Sequence, residues 1–125
     1  MGKAIHDDVL DAALNLIKNN ANRISVCNAE PTTITQLTTT YMLAIKTISS
    51  SDFTGPTAGD VSGRKLISNQ HVGVPITNSG TANHVALGDT TNSRVLLVTT
   101  CAAQSLTAGG TVTIGSFKDE ISAPV

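Results

Sequence analysis

From Arg23 onward, turn-forming residues cut the chain into short apolar stretches, and this limits what it can fold into. The stretches are RISVC at 23–27, TYMLAIKTIS at 40–49, residues 64–68, 72–77, ANHVALG at 82–88, RVLLVTTC at 94–101 and TVTIGSF at 111–117. Residues 118–121 could extend the last one. Between them lie 28–37 with Pro31, Asn78-Ser79-Gly80, 89–93 and 106–110, all rich in turn formers. The runs match strand lengths, and several alternate apolar with polar residues. Pro75 makes its strand an edge or a bulge. Residues 49–63 (SSSDFTGPTAGDVSG) carry three Gly and one Pro with little core material, which predicts a long surface loop. About seven short strands at regular spacing predict a mainly β fold, an antiparallel β-sandwich or barrel.

One segment has a different period. Asp8, Asp11, Asn15 and Lys18 recur at spacings of three and four, separated by Val9, Leu10, Ala12, Ala13, Leu14, Leu16 and Ile17. This predicts one N-terminal α-helix over about 6–20. Asp7, Asp8 and Asp11 stand early and Lys18 late, as the helix dipole favours. The apolar stripe is wide, so the helix wants burial on more than one side. Val9, Leu10, Ala13, Leu16 and Ile17 are therefore candidate partner contacts beside ordinary core packing. The 125 residues read as a single domain, with the helix followed by a β domain over about 22–121.

Charge and aromatic content exclude several functions. Charged residues are 14 % and the formal net charge is −1, so the sequence offers no basic field for a phosphate backbone. The aromatics are Tyr41, Phe53 and Phe117, with no Trp. Base-stacking and sugar-stacking platforms lose support accordingly. No apolar run reaches the length of a membrane span. The start, MGKAIHDD, lacks a signal-peptide apolar region and has His6 where a myristoylation motif wants Ser or Thr. The expectation is a chain that binds neither nucleic acid nor membrane. Thr is the commonest residue and, with Ser and Asn, makes up nearly a third of the chain. Such a surface suits contact with other protein subunits.

The residues that could carry chemistry form no recognisable catalytic set. Cys27 and Cys101 each end an expected strand and could form one disulfide if those strands are neighbours. Without a secretion signal, two free, partly buried thiols are the default. Neither has the paired ligands of a zinc site, and a nucleophilic Cys would need a partner such as His84. His6, Asp7, Asp8 and Asp11 cluster, but carboxylates in a first helical turn are ordinarily dipole partners. His71, beside a turn, reads as solvated. GDVSGRK at 59–65 has the wrong glycine spacing for a phosphate loop. Ser62 lacks a nucleophile-elbow context, and Glu30 and Glu120 are the only glutamates. The expectation is a chain that is not an enzyme and takes no metal or cofactor. In the 49–63 loop, Phe53 is a candidate exposed anchor, with Arg64 and Lys65 pairing a partner's carboxylates.

The phrases HDDVLDAALNLIKNNA, VCNAEPTT, DFTGPTAGDVSGRK, SGTANHVALGDTTNSRVLLVTTC and LTAGGTVTI, spanning His6 to Ile114, resemble small proteins encoded in the structural-gene modules of tailed bacteriophages. None of these phrases is a catalytic motif, so the resemblance implies a virion part and carries over no catalytic residue. Within that virion reading the first expectation is a capsid decoration (cement) protein that binds the major capsid protein as a small homo-oligomer, expected as a trimer because decoration proteins commonly are. The alternative is a tail, neck or fibre component. A host-glycan binding module is a further alternative, which the scarcity of aromatics disfavours.

Overall fold

The computed structural model describes residues 5–122. Residues 1–4, the first part of the start read for signal and myristoylation motifs, and residues 123–125 lie outside the described residues. The helix α1 spans Asp7–Asn20. The His6 Nδ1 caps it by accepting from the Asp8 N–H at 3.0 Å, with Asp7 and Asp8 in the first turn and Lys18 in the last. Among the described residues nine strands follow: β1 (Arg23–Cys27), β2 (Met42–Thr47), β3 (Phe53–Ala58), β4 (Arg64–Ser68), β5 (His71–Pro75), β6 (Gly80–Asp89), β7 (Arg94–Leu106), β8 (Thr111–Ile114) and β9 (Phe117–Ile121). All pairings are antiparallel. They form a four-stranded sheet ordered β2-β1-β6-β7, a three-stranded sheet β3-β4-β9 and the pair β5-β8. The fold is mainly β with one N-terminal helix, as the turn spacing predicts.

One hydrophobic cluster draws on every element. Leu14 and Ile17 of α1 meet Ile24 and Val26 of β1, Leu43, Phe53, Leu66, Val74, Leu87, Leu106 and Ile114, with Phe117 and Ile121 packed against it. The helix sits on β3 and β4. Lys18 Nζ donates to the Gly55 carbonyl at 2.8 Å, and Arg64 Nε donates to Asp11 at 2.7 Å, so helix and sheet are joined by polar contacts beside the core.

The four-stranded sheet is covered on its second face too. Ile24 and Val26 face the main core, so Ser25 and Cys27 point the other way, and all four are buried. The segment between β1 and β2 folds over them and ends in a π-helical turn, Gln36–Thr40, with Leu37 fully buried. Ser25 Oγ donates to the Leu37 carbonyl at 2.7 Å. Gly88 of β6 lies under this cover. A Cβ there would stand 2.9 Å from both Ile34 Cδ1 and Leu37 Cδ1, so any other residue would push these side-chain tips aside.

Four expectations need correction. Residues 49–63 are not one long loop: a 3-10 turn at Ser50–Asp52 leads into β3, and a turn closed by Gly59 N–H to Gly63 O follows. Pairing with β4 makes β3 a strand despite Gly55 and Pro56. Residues 28–37, expected as plain loop, contain part of the helical cover. Strand β7 runs on through Cys101 to Leu106, and the expected strand 111–117 is two strands that pair in different sheets.

Leu37→Ala should cost about 2–5 kcal/mol, the range for a buried leucine in a main core. Urea denaturation of this variant beside Leu14→Ala measures it. A Leu37→Ala loss below about 1 kcal/mol would mean that the cover contributes little to stability.

Candidate functional site

The residues proposed as partner contacts divide sharply by exposure. On α1, Leu10 and Ile17 join Leu14 on the buried side. Val9 is 56 % and Leu16 45 % exposed, and Ala12 and Ala13 are exposed between them. At 100° per residue these four lie on one stripe, beside the buried stripe rather than opposite it. The polar third of the helix, Asp11 and Lys18, faces β3 and β4 through the contacts above. The wide apolar stripe is therefore two stripes, one used by the core and one left on the surface.

Phe53 is not an exposed anchor. It is 6 % exposed and belongs to the core, where its ring supplies bulk that few other residues in this chain can. Arg64 is held by Asp11, which raises its already high pKa through hydrogen bonding. Lys65 and Lys118 both grip Asp60, and their hydrogen bonds pull the Asp60 carboxyl down to about 2. Arg64 and Lys65 thus have partners within the chain.

The two cysteines are free and do not form the disulfide considered above. Cys27 lies opposite His84 on β6, and His84 lies opposite Thr100 on β7. The next residue, Cys101, therefore faces the other side of the sheet, two strands from Cys27. Cys27 is sealed beside Ser25 Oγ at 3.4 Å, and burial pushes its thiol up, which disfavours the thiolate. The neighbouring His84 bonds Asn83 Oδ1 through Nδ1 at 2.6 Å.

Cys101 is exposed and lies on the rim of a groove of about 330 Å³ between β7 and the β8–β9 segment. Val26, Val85, Val112, Ile114 and Phe117 line it, so it opens onto the edge of the core. A second, polar cleft of about 430 Å³ is lined by Asn19, Asn20, Asn22, Ser49, Asp89 and Asn92. Its one buried charge, Asp89, accepts from Asn92, Thr91 and Arg94. Hydrogen bonds from Asn92 lower the Asp89 pKa against the effect of burial, so this carboxylate serves the β6–β7 turn. Among the described residues no three of His, Cys, Asp and Glu converge as metal ligands would, and no helix is long and apolar enough to cross a membrane. No family model, characterised protein or solved structure matches the chain.

His71, expected to be solvated, is 3 % exposed. Its Nδ1 accepts from Lys46 Nζ at 3.2 Å, and its buried Nε2 has no hydrogen-bond partner. Burial, and secondarily the Lys46 charge, lowers the His71 pKa below its ordinary value. The unfolded chain therefore takes up this proton first. Stability is whole above the unfolded-state pKa, about 6.5, and is lost as pH falls below it. Thermal melts from neutral pH to about pH 5 should show a falling midpoint, and His71→Leu should flatten that fall. An identical slope in both proteins would acquit His71.

Proposed function

We infer that the chain is a non-enzymatic virion structural protein of a tailed bacteriophage, a capsid decoration protein that binds and stabilises the capsid lattice. The phrase resemblance supplies the virion, and the outward apolar stripe of α1 supports binding as the mode of action. Val9, Ala12, Ala13 and Leu16 form a continuous strip on a rigid helix anchored through Leu10, Leu14 and Ile17. A short apolar strip of this kind buries little area alone, but repeated over a lattice it adds up through avidity. The partner is the major capsid protein, and the chain acts there as a small homo-oligomer. A tail or neck location would use the same surface at few copies, so copy number per particle separates the two.

Deleting the helix is a poor test, because Leu14 and Ile17 belong to the core. The double variant Val9→Asp/Leu16→Asp removes the stripe and leaves the buried side intact. It should keep the wild-type melting curve within a few degrees and lose particle loading by about tenfold or more, read by quantitative mass spectrometry against the major capsid protein. Undiminished loading would rule out the stripe as the contact. Absence of the wild-type protein from purified particles would overturn the virion reading.

A further inference from the structure

We propose that the open edge of β7 pairs with the same edge of a second copy of this chain, antiparallel across a two-fold axis. Strand β7 is the outer strand of the four-stranded sheet and spans Arg94–Leu106. Among the described residues, its backbone N–H and C=O groups on the side away from β6 have no strand to meet. From Val95 to Leu106 it holds no charged residue, no proline and no glycine. Residues 100–105 are all exposed. Proteins ordinarily blunt such an edge with charges, proline, bulges, short length or a cover; of these β7 has only bulges, one opposite Ala82–His84 and one opposite Leu87–Gly88, with Leu97–Thr100 in regular register between them.

Every other edge among the described residues is blunted in one of these ways. Strand β2 is capped by the bridge from Ala44 to Ile76 and by the Thr77 and Asn78 N–H groups on the Leu43 carbonyl. Strand β3 contains Pro56, and its Gly55 and Pro56 carbonyls accept from Lys18 and Arg64. Strand β9 carries Lys118, Asp119 and Glu120 in a row. Strands β5 and β8 have five and four residues, and β5 holds Gly73 and Pro75. The surface best suited to β7 is therefore β7 itself.

Charge agrees with self-pairing. In an antiparallel register about the middle of the strand, Arg94 of one copy stands near Leu106 of the other, so no like charges oppose one another. Arg94 is in any case held by Asp89 at 3.0 Å. The residues between are Val, Leu, Thr, Cys, Ala, Gln and Ser, which make favourable apolar and hydroxyl cross-strand pairs. The added strand continues the sheet along the rim of the groove lined by Val85, Val112, Ile114 and Phe117, and sends alternate side chains towards it. The two Cys101 residues then lie near the axis. The contact is two-fold and yields a dimer; a trimer would need another surface. The proposal rests on the homo-oligomer part of the functional reading and gives it a surface, but needs no capsid for its test.

The purified full chain tests it by sedimentation or light scattering. The expected mass is twice that of the monomer. Successive residues of a strand turn their N–H groups to opposite sides, and Thr99 and Thr100 lie in the regular ladder opposite Val85 and His84. Thr99→Pro and Thr100→Pro therefore each remove a different donor, one to β6 and one to the open edge. The edge variant should fold and be monomeric. Ala102→Lys/Gln104→Lys, at exposed positions, should weaken the dimer about tenfold or more without unfolding the chain. A bis-maleimide should cross-link the wild type and Cys27→Ser but not Cys101→Ser. A monomer at high concentration, or a dimer of undiminished strength in the lysine variant, would overturn the proposal. Absence of the wild-type chain from purified particles, with the dimer intact, would instead count against the capsid reading alone.

Discussion

The hydrogen bond from Ser25 Oγ to the Leu37 carbonyl ties the covering segment to the central strand β1. Strands β1 and β6 lie at the centre of their sheet, and both of their faces are buried. One face meets the main core through Ile24, Val26, Val85 and Leu87. The other must hide Ser25, Cys27, Ala86 and Gly88 from water. A buried hydroxyl without a partner would cost about 1–3 kcal/mol. The segment between β1 and β2 supplies that partner and the apolar lid in one piece. The lid can sit so low because Gly88 has no side chain and Ala86 a small one. Removing the lid would strip the second face of the sheet, and the strand order β2-β1-β6 would then have no reason to be buried twice.

A core with few aromatics explains much of the rest. Aliphatic side chains of similar size fill space well only when elements approach closely from several sides. This chain meets that demand with many short strands and one helix, each giving one to three residues to the cluster. Phe53 and Phe117, its two phenylalanines, are both drawn to that cluster. Phe53 begins β3 and plugs the core beneath the helix, and so it is unavailable as a surface anchor.

The parts legible in the sequence were those set by local periodicity. Strands β1 and β4 have the boundaries that alternation predicts, and the helix starts and stops where Asp7 and the asparagines signal. What escaped was decided by tertiary contact. Gly55 and Pro56 read as loop because their intrinsic β preference is poor; they form an irregularity in β3, and the pairing of Thr54 with Ile67 and of Thr57 with Lys65 on either side carries the strand through. His71 read as solvated because it adjoins a turn; its burial comes from β8, whose Ile114 lies opposite it. The wide stripe of α1 signalled burial on more than one side. Periodicity alone could not say that Leu10, Leu14 and Ile17 would take the core and leave Val9 and Leu16 outside. The partner of Arg64 was equally hidden, since Asp11 is far from it in sequence, whereas Asp60, the partner of Lys65, stands in the turn just before it.

The placement of the few charges links these observations to function. With 8 basic and 9 acidic residues, the chain cannot protect every edge and face. Asp11 and Arg64 clamp helix to sheet, Asp60 gathers Lys65 and Lys118 beside β9, and Asp89 with Arg94 closes the β6–β7 turn. These pairs secure the three-stranded sheet and one end of β7. They leave uncharged the outer stripe of α1 and the length of β7 beyond Arg94. The stripe rides on β3 and β4, whereas β7 belongs to the other sheet. The two surfaces lie apart, so the proposed capsid contact at the stripe and the proposed self-pairing at β7 do not compete for one site.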